Sequence, residues 1–537
     1  MGNPPVSDVR AEVPAGRARR LVWSTAVFSA ATGLSRVLGL AREIVARGYF
    51  GVEGAGINAF TIAFQVPNLV RALVADAALS SAFVPVFTEL LEKGERARAW
   101  RVASSLLWIL LLGLTAITAI FVLAAPWIMS LFGYHGEDGE LAVTLARILF
   151  PIVVLLGVSG VIVGILNSYE HFTVPALTPV AWNVAIIIGL VIGVPRADTE
   201  EAKLYVYAGS IVVGTVIQLL LPLPWLAGRD GRLRVAIDWR DPAVKRVFVL
   251  MLPVTLGLGL INFNAVIGTF FAARYIDPNL APSAIDAAFR IYMLPQGMFS
   301  VAVATVLFPA LSRLAAREEL DGFRHTVGTG LRQIAFLLVP ASVVSAVLAE
   351  PIVRLVYERG EFGPDETQVV AGALAAFSLG LAFNGAMLML NRAFFGLQSP
   401  WTPTAVALAT LIANTTLYYA FYRLGIWGIP LAISVANVFG TVALVVLLRR
   451  RLVRLEISET VRSALRITAA SIVYGAVAFA VWWALDEALG RAFVAQLVSV
   501  LGALAVGGAA YLFSARLLGV RELNALLSLR ARARPAD

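Results

Sequence analysis

Runs of roughly twenty apolar residues recur from one end of this chain to the other, each long enough to cross the hydrocarbon core of a bilayer as a helix. That pattern narrows the possible folds sharply, because a chain in lipid must satisfy its own backbone hydrogen bonds. Composition agrees: 59% of the 537 residues are hydrophobic and 14% are charged, where a soluble protein carries about 25% charge. An all-α membrane protein of about fourteen spans is expected, at roughly 21–46, 57–90, 102–132, 141–167, 173–194, 203–227, 245–273, 283–312, 328–356, 366–396, 401–422, 427–448, 464–485 and 492–515. Several exceed the ~20 residues a span needs, so they must tilt, kink or run beyond the bilayer.

The same composition excludes several function classes. With no cysteine, disulfides and thiolate chemistry are ruled out. His135, His171 and His325 lie far apart, with no metal-ligand spacing, so neither a metal nor another cofactor is expected. Walker loops, G-x-G-x-x-G, H-E-x-x-H and G-x-S-x-G patterns are absent, which argues against an enzyme and against an ATP-driven pump. The first apolar segment is too long for a signal h-region and has no small-residue cleavage site, so no cleavable signal is expected. A net charge of +9 reads as cytoplasmic loops and not as a nucleic-acid partner.

Loop charges set the expected orientation. Arg17, Arg19 and Arg20 precede the first span; Lys93, Arg96, Arg98 and Arg101 follow the second; Arg229, Arg232, Arg234, Arg240, Lys245 and Arg246 precede the seventh. Further clusters follow spans eight and twelve and occupy the C-terminal tail, while alternate loops are short or acidic, as at Glu137, Asp138 and Glu140. Positive-inside counting therefore places both termini in the cytoplasm, and an even number of spans requires the same.

The chain also repeats itself. "AFVPVFTELLEKGERARAWR" (82–101) resembles "VLFPALSRLAAREELDGFRH" (306–325), "LAAPWIMSLFGY" (123–134) resembles "LAEPIVRLVYER" (348–359), and "GILNSYEHFTVPALTP" (164–179) resembles "LMLNRAFFGLQSPWTP" (388–403). A nearly constant offset pairs Pro85 with Pro309, Pro126 with Pro351 and Asn167 with Asn391, the mark of a duplication. Two parallel six-helix lobes are expected, 21–230 and 231–450, between basic tails at 1–20 and 518–537, with two extra C-terminal helices in 451–517. Parallel repeats of this kind build transporters with the substrate at their interface.

Within these apolar stretches stand Arg36, Arg42, Arg71 and Arg290. An arginine at the bilayer centre costs about 2.5–3.5 kcal/mol, so the three in the first two segments would cost on the order of 8–10 kcal/mol in lipid. They are expected to face a wet, protein-lined cavity or an anionic partner. Arg36 and Arg42 lie about 120° apart on a straight helix, with Gly39 between them; Glu43 falls close to the stripe of Arg36 and is placed to pair with it. A structural ion pair plus one snorkelling arginine explains the same pattern. Arg47, four residues after Glu43, reads as an interfacial residue with a local partner. Near Arg71, Pro67 interrupts the helix, Asp76 is off its face, and the small residues between Ala75 and Ala82 suit close packing or a cavity wall. Arg290 has Asp286 four residues before it, so an intrahelical ion pair competes with a ligand role; Pro295 and Gly297 mark a kink nearby. Arg147, Arg274, Arg332 and Arg354 read as snorkelling residues at span ends, and Glu350 and Arg392 suit helix-end interfaces.

"SRVLGLARE" (35–43), "NAFTIAFQVPNLVRALVADAALSSAFVPVF" (58–87) and "FRIYMLPQGMFSVAVATVLFPALS" (289–312) resemble the signature of the MurJ (MviN) family of lipid II flippases. The resemblance implies the fold of the multidrug/oligosaccharidyl-lipid/polysaccharide exporter superfamily. It also implies export of the undecaprenyl-diphosphate-linked peptidoglycan precursor across the bacterial cytoplasmic membrane by alternating access. Arg36, Arg42, Arg71 and Arg290 are then the substrate-binding residues, and Glu43, Asn58, Asn68, Asp76, Ser283 and Asp286 the cavity or gating candidates. Lipid II, membrane lipids and the cell-wall synthesis machinery are the implied partners. The family usually has an acidic residue where this chain has Asn58, and Glu in place of Asp76. A flippase for another lipid-linked oligosaccharide shares the same features; a multidrug/cation antiporter would need acidic cavity residues, and a membrane glycosyltransferase a carboxylate or metal site. The coupling ion is not legible.

Overall fold

The computed structural model describes residues 15–74, 77–452 and 455–523. They form α1 (Ala15–Phe50), α2 (Ala55–Val74), α3 (Ala77–Glu92), α4 (Arg96–Leu131), α5 (Gly136–Leu149), α6 (Ile152–Ser168), α7 (Thr173–Ile188), α8 (Glu200–Leu220), α9 (Pro242–Phe271), α10 (Ala281–Pro295), α11 (Val301–Ala316), α12 (Leu320–Val347), α13 (Ala349–Tyr357), α14 (Pro364–Ser378), α15 (Leu381–Gly396), α16 (Trp401–Phe421), α17 (Gly428–Leu452), α18 (Ile457–Leu489) and α19 (Phe493–Leu517). No strand occurs among the described residues. By length and composition ten helical stretches there are able to cross a membrane, or eleven if α14 and α15, bent by 43°, count as one span. The protein is thus an all-α, multi-pass membrane protein.

Stretches expected as single spans are broken where side-chain chemistry allows it. The α14–α15 bend falls at Leu379–Gly380. A Cβ on Gly380 would lie 2.6 Å from the Ser434 Cα, so only glycine admits this approach of α17. Ser434 Oγ then donates to the Ala376 and Phe377 carbonyls at 2.7 and 3.2 Å, meeting the Ala376 carbonyl that loses its helical partner when the Gly380 N–H turns to Phe377 at 3.0 Å. Between α10 and α11 the chain forms a wide π turn, Gln296–Ser300, directly after Pro295, which explains the kink expected there.

The described residues fall into two compact units, each discontinuous in sequence. One comprises the described parts of Met1–Val45, Val70–Leu123 and Arg147–Thr255. Its core gathers Phe83, Phe87, Trp100 and Leu106, with the Phe87 and Trp100 rings meeting edge-on at 6.2 Å. The connector between α8 and α9 is laced onto α4 in the same unit. Ser104 Oγ accepts from the Arg234 N–H at 3.1 Å, Ser105 Oγ from the Asp238 N–H at 3.0 Å, and Trp108 Nε1 donates to the Arg234 carbonyl at 3.0 Å. At its end Asp241 holds Arg98 at 3.3 Å and accepts the Ala243 N–H at 2.7 Å. Burial pushes the Asp241 carboxyl upward, but the Arg98 hydrogen bond, the Ala243 N–H and the charges of Arg98 and Arg101 outweigh it and hold the group below its ordinary 3.8.

The other unit comprises the described parts of Ala46–Leu69, Ala124–Ala146 and Leu256–Asp537. Tyr357, Phe377, Phe394 and Tyr418 are among its fully buried side chains. α18 and α19 pack against each other where Gly507 admits the Tyr474 ring, and Tyr511 Oη donates to the Phe336 carbonyl of α12 at 2.8 Å.

Candidate functional site

The signature arginines with described side chains divide between the two units. In the first unit, α1 carries Arg36 exposed, without an ion pair among the described residues, and Arg42 at 8% exposure. Arg42 Nη2 meets Glu43 Oε1 at 2.6 Å, so Glu43 goes to its neighbour and not to Arg36. The Arg42 guanidinium lies over the Trp182 ring of α7, 4.7 Å from the centroid, and Trp182 is held in turn by its Nε1 donating to Thr215 Oγ1 at 3.1 Å. The neighbouring Asn183 reaches back to the Ser35 carbonyl at 3.3 Å. This arrangement leaves two buried polar atoms without hydrogen bonds, Arg42 Nε and Asn183 Oδ1. The guanidinium is thus fixed between the ring and Glu43, with its Nε donor unused.

In the second unit Arg47 corrects the sequence expectation. It is not interfacial: it is 4% exposed, and two of its three partners come from α10. Nη1 donates to Ser283 Oγ and, at 3.4 Å, to the Gly51 carbonyl; Nη2 meets Asp286 Oδ2 at 3.1 Å. The same carboxylate oxygen takes Arg290 Nε at 3.0 Å. The intrahelical pair Asp286–Arg290 therefore exists, but Asp286 serves two guanidiniums. Arg290 is the more open of the two, its side chain a third exposed.

Asn58, fully buried, joins this cluster. Its Nδ2 faces the carbonyls of Val52, Gly54 and Asn279 at 2.8, 2.9 and 2.6 Å, and its Oδ1 accepts the Ser283 N–H at 2.8 Å. A carboxylate there would turn lone pairs toward three carbonyls, so this site uses the amide as a donor. The turn after α1 is closed by Glu366, a residue the sequence reading passed over. Its Oε1 accepts the Val52 and Glu53 N–H groups at 2.6 and 2.8 Å, and its Oε2 the Gly363 N–H at 3.0 Å. Gly51, at φ +59°, allows it: a Cβ would stand 2.5 Å from Glu366 Oε1. The only sequence signal was an acidic residue in the first turn of α14, which reads as an ordinary helix cap.

The remaining candidates divide. Asn68 is half-buried on α2. Arg71 lies in the same helix, but its side chain, like the whole of Asp76, is outside the described residues. Pro67 sits within α2 and does not end it. Two span-end arginines are not snorkelling. Arg332, 8% exposed, binds Glu456 and Glu522 at 3.1 and 3.2 Å. Arg354 binds Glu350 and Asp486 at 2.7 and 3.3 Å. Glu350 is an i,i+4 neighbour of Arg354, but Asp486 and both partners of Arg332 are distant in sequence, which no local pattern revealed. Among the described residues no three His, Cys, Asp or Glu side chains converge as a metal site.

The fold defines a class. A solved structure described as "Lipid II flippase MurJ, inward closed conformation" superposes with a TM-score of 0.74 at 24% identity, covering 91% of this chain and 98% of that one. An inward-facing multidrug resistance MATE transporter of the MOP superfamily superposes at 0.68 with 19% identity, covering 78% and 94%. The chain therefore has the fold of MOP-superfamily transporters. A probable lipid II flippase MurJ of Vibrio cholerae is 31% identical over 94% of this chain and 97% of its own length; the lipid II flippase MurJ of Burkholderia cenocepacia is 31% identical over 78% and 82%. The profile of the family "Lipid II flippase MurJ" matches residues 47–501, and the chain belongs to that family, one of transporters and not of enzymes.

Proposed function

We propose that this protein is a lipid II flippase, carrying the undecaprenyl-diphosphate-linked precursor from the inner to the outer leaflet of the bacterial cytoplasmic membrane by alternating access. The observation that carries the reading is Arg42: a buried guanidinium stacked on Trp182 with its Nε unused. Its planar fork matches diphosphate oxygens, which a lysine would meet only as a point charge. Arg36, exposed on the same helix, and Arg290, held but not enclosed by Asp286, offer further donors. Arg71 completes the set by its place in the signature. Glu43 and Asp286 keep these cations oriented, while Asn58 and Ser283 hold the backbone around them. With no nucleotide-binding pattern in the chain, the membrane potential or a coupled ion drives the cycle; about 2.3 kcal/mol per charge per 100 mV is available.

The finer architecture belongs to the same proposal. Fourteen spans form two parallel six-helix lobes, 21–230 and 231–450, followed by two helices in 451–517, with both termini cytoplasmic. The internal repeat and the basic loops support this count and orientation.

The test is a leaflet-exposure assay for lipid II in cells that depend on this protein after depletion of their own flippase. Outer-leaflet lipid II and growth are expected with the wild-type chain. Growth failure with normal membrane insertion refutes the cargo assignment.

A further inference from the structure

A cavity of about 300 Å³ opens where the start of α18 meets α12 and the end of α19. Arg332 forms its floor, and its charge is already met: Nε holds Glu522 at 3.2 Å, Nη1 holds Glu456 at 3.1 Å, and Nη2 donates to Thr329 Oγ1 at 3.2 Å. The rim is different. Arg462 and Arg466, one helical turn apart on α18, are exposed, as is Arg521. Arg521 pairs with Glu459 at 2.8 Å, and among the described residues Arg466 reaches only the Gly519 carbonyl at 3.3 Å. Arg462 has no partner among the described residues. Four guanidiniums thus line the cavity against two carboxylates.

Beside this rim, and on along α18 and back along α19, the same two helices carry exposed apolar side chains. Leu465 and Ile472, seven residues apart on α18, and Phe513 and Leu517, four apart on α19, present most of their surface outward. Guanidiniums therefore stand at the depth where a lipid-facing apolar surface ends. Basic pockets between transmembrane helices take phosphate headgroups in this position.

We infer that this cavity binds the phosphate of an anionic membrane lipid, with Arg462 and Arg466 as the principal donors and the acyl chains lying along Leu465–Ile472 and Phe513–Leu517. The inference does not depend on the transport cargo, since neither arginine belongs to the set on α1, α2 and α10. It gives α18 and α19 a role as a docking place for a bilayer lipid.

The experiment uses the full chain, purified in detergent and titrated with phosphatidylglycerol, phosphatidylcholine or inorganic phosphate, with lipid retention read by native mass spectrometry. Phosphatidylglycerol should be retained in preference to phosphatidylcholine, and inorganic phosphate should not displace it. Arg462→Gln breaks no ion pair and should weaken retention about fivefold; adding Arg466→Gln should weaken it by about fivefold again. Arg196→Gln, an exposed arginine of the first unit, should change nothing. Equal retention by the double variant, equal retention of the zwitterionic lipid, or displacement by inorganic phosphate overturns the assignment.

Discussion

Replacing Asn58 with leucine keeps the number and branching of the side-chain heavy atoms and deletes every hydrogen bond the amide makes. Their loss is unequal. The Gly54 carbonyl keeps the Asn58 N–H at 3.4 Å, and the Asn279 carbonyl keeps the Gly54 N–H at 2.8 Å. The Val52 carbonyl and the Ser283 N–H, by contrast, lose the partners that Asn58 supplies at 2.8 Å each. An orphaned buried polar group costs about 1–3 kcal/mol, so two orphans predict roughly 2–6 kcal/mol of local destabilisation. Hydrogen exchange of peptides covering 52–58 and 279–285 reads this directly: the lower bound corresponds to about thirtyfold loss of protection. A global readout needs no added probe, because intrinsic tryptophan emission follows melting. Unchanged exchange in both peptides would refute the view that this amide ties the α1–α2 turn to the start of α10.

Other outcomes follow from the same geometry. Arg42→Ala, Arg71→Ala and Arg290→Ala should each abolish complementation of flippase-depleted cells while immunoblots of membranes show normal insertion; full growth of all three would remove the cationic-site argument. Gly51→Ala should cost about 1–2 kcal/mol from the left-handed backbone alone, plus the displacement of Glu366, and should raise exchange at Val52 and Glu53. Asp241 is held below its ordinary 3.8 in the folded protein. Its stabilising contribution is therefore fully present above that value and is lost as pH falls through the depressed one. Acid titration of the emission of the neighbouring Trp239 should show this loss, and Asp241→Asn should remove it.

Hydropathy made the helices legible because lipid leaves the backbone few alternatives, and the signature arginines stood out as charges within apolar runs. The breaks were less legible. The α14–α15 bend depends on Ser434, far away in sequence. Charge pairing was legible only at helical spacing, as for Asp286 and Arg290. Arg47 was misread because Glu43 is a plausible partner four residues away, while Ser283 and Asp286 are reached only through the tertiary fold. Arg332 and Arg354 escaped for the same reason: a cation at a span end looks identical whether water or a distant carboxylate meets it; Glu366 escaped because the backbone N–H groups of Val52 and Glu53 that it accepts lie far away in sequence.

The connector between α8 and α9 has a mechanical consequence. A free strand from Ala227 to Asp241 would carry two soft torsions per residue and would act as a slack tether. Here Gly231 lies against the Trp100 ring, Arg234 and Asp238 are pinned by serine hydroxyls, and Asp241 is gripped by Arg98. Most of those degrees of freedom are already spent on α4. The segment works as a bracket that carries its stiffness into the start of α9, where Val244 and Val247 are buried in the same core as Trp100.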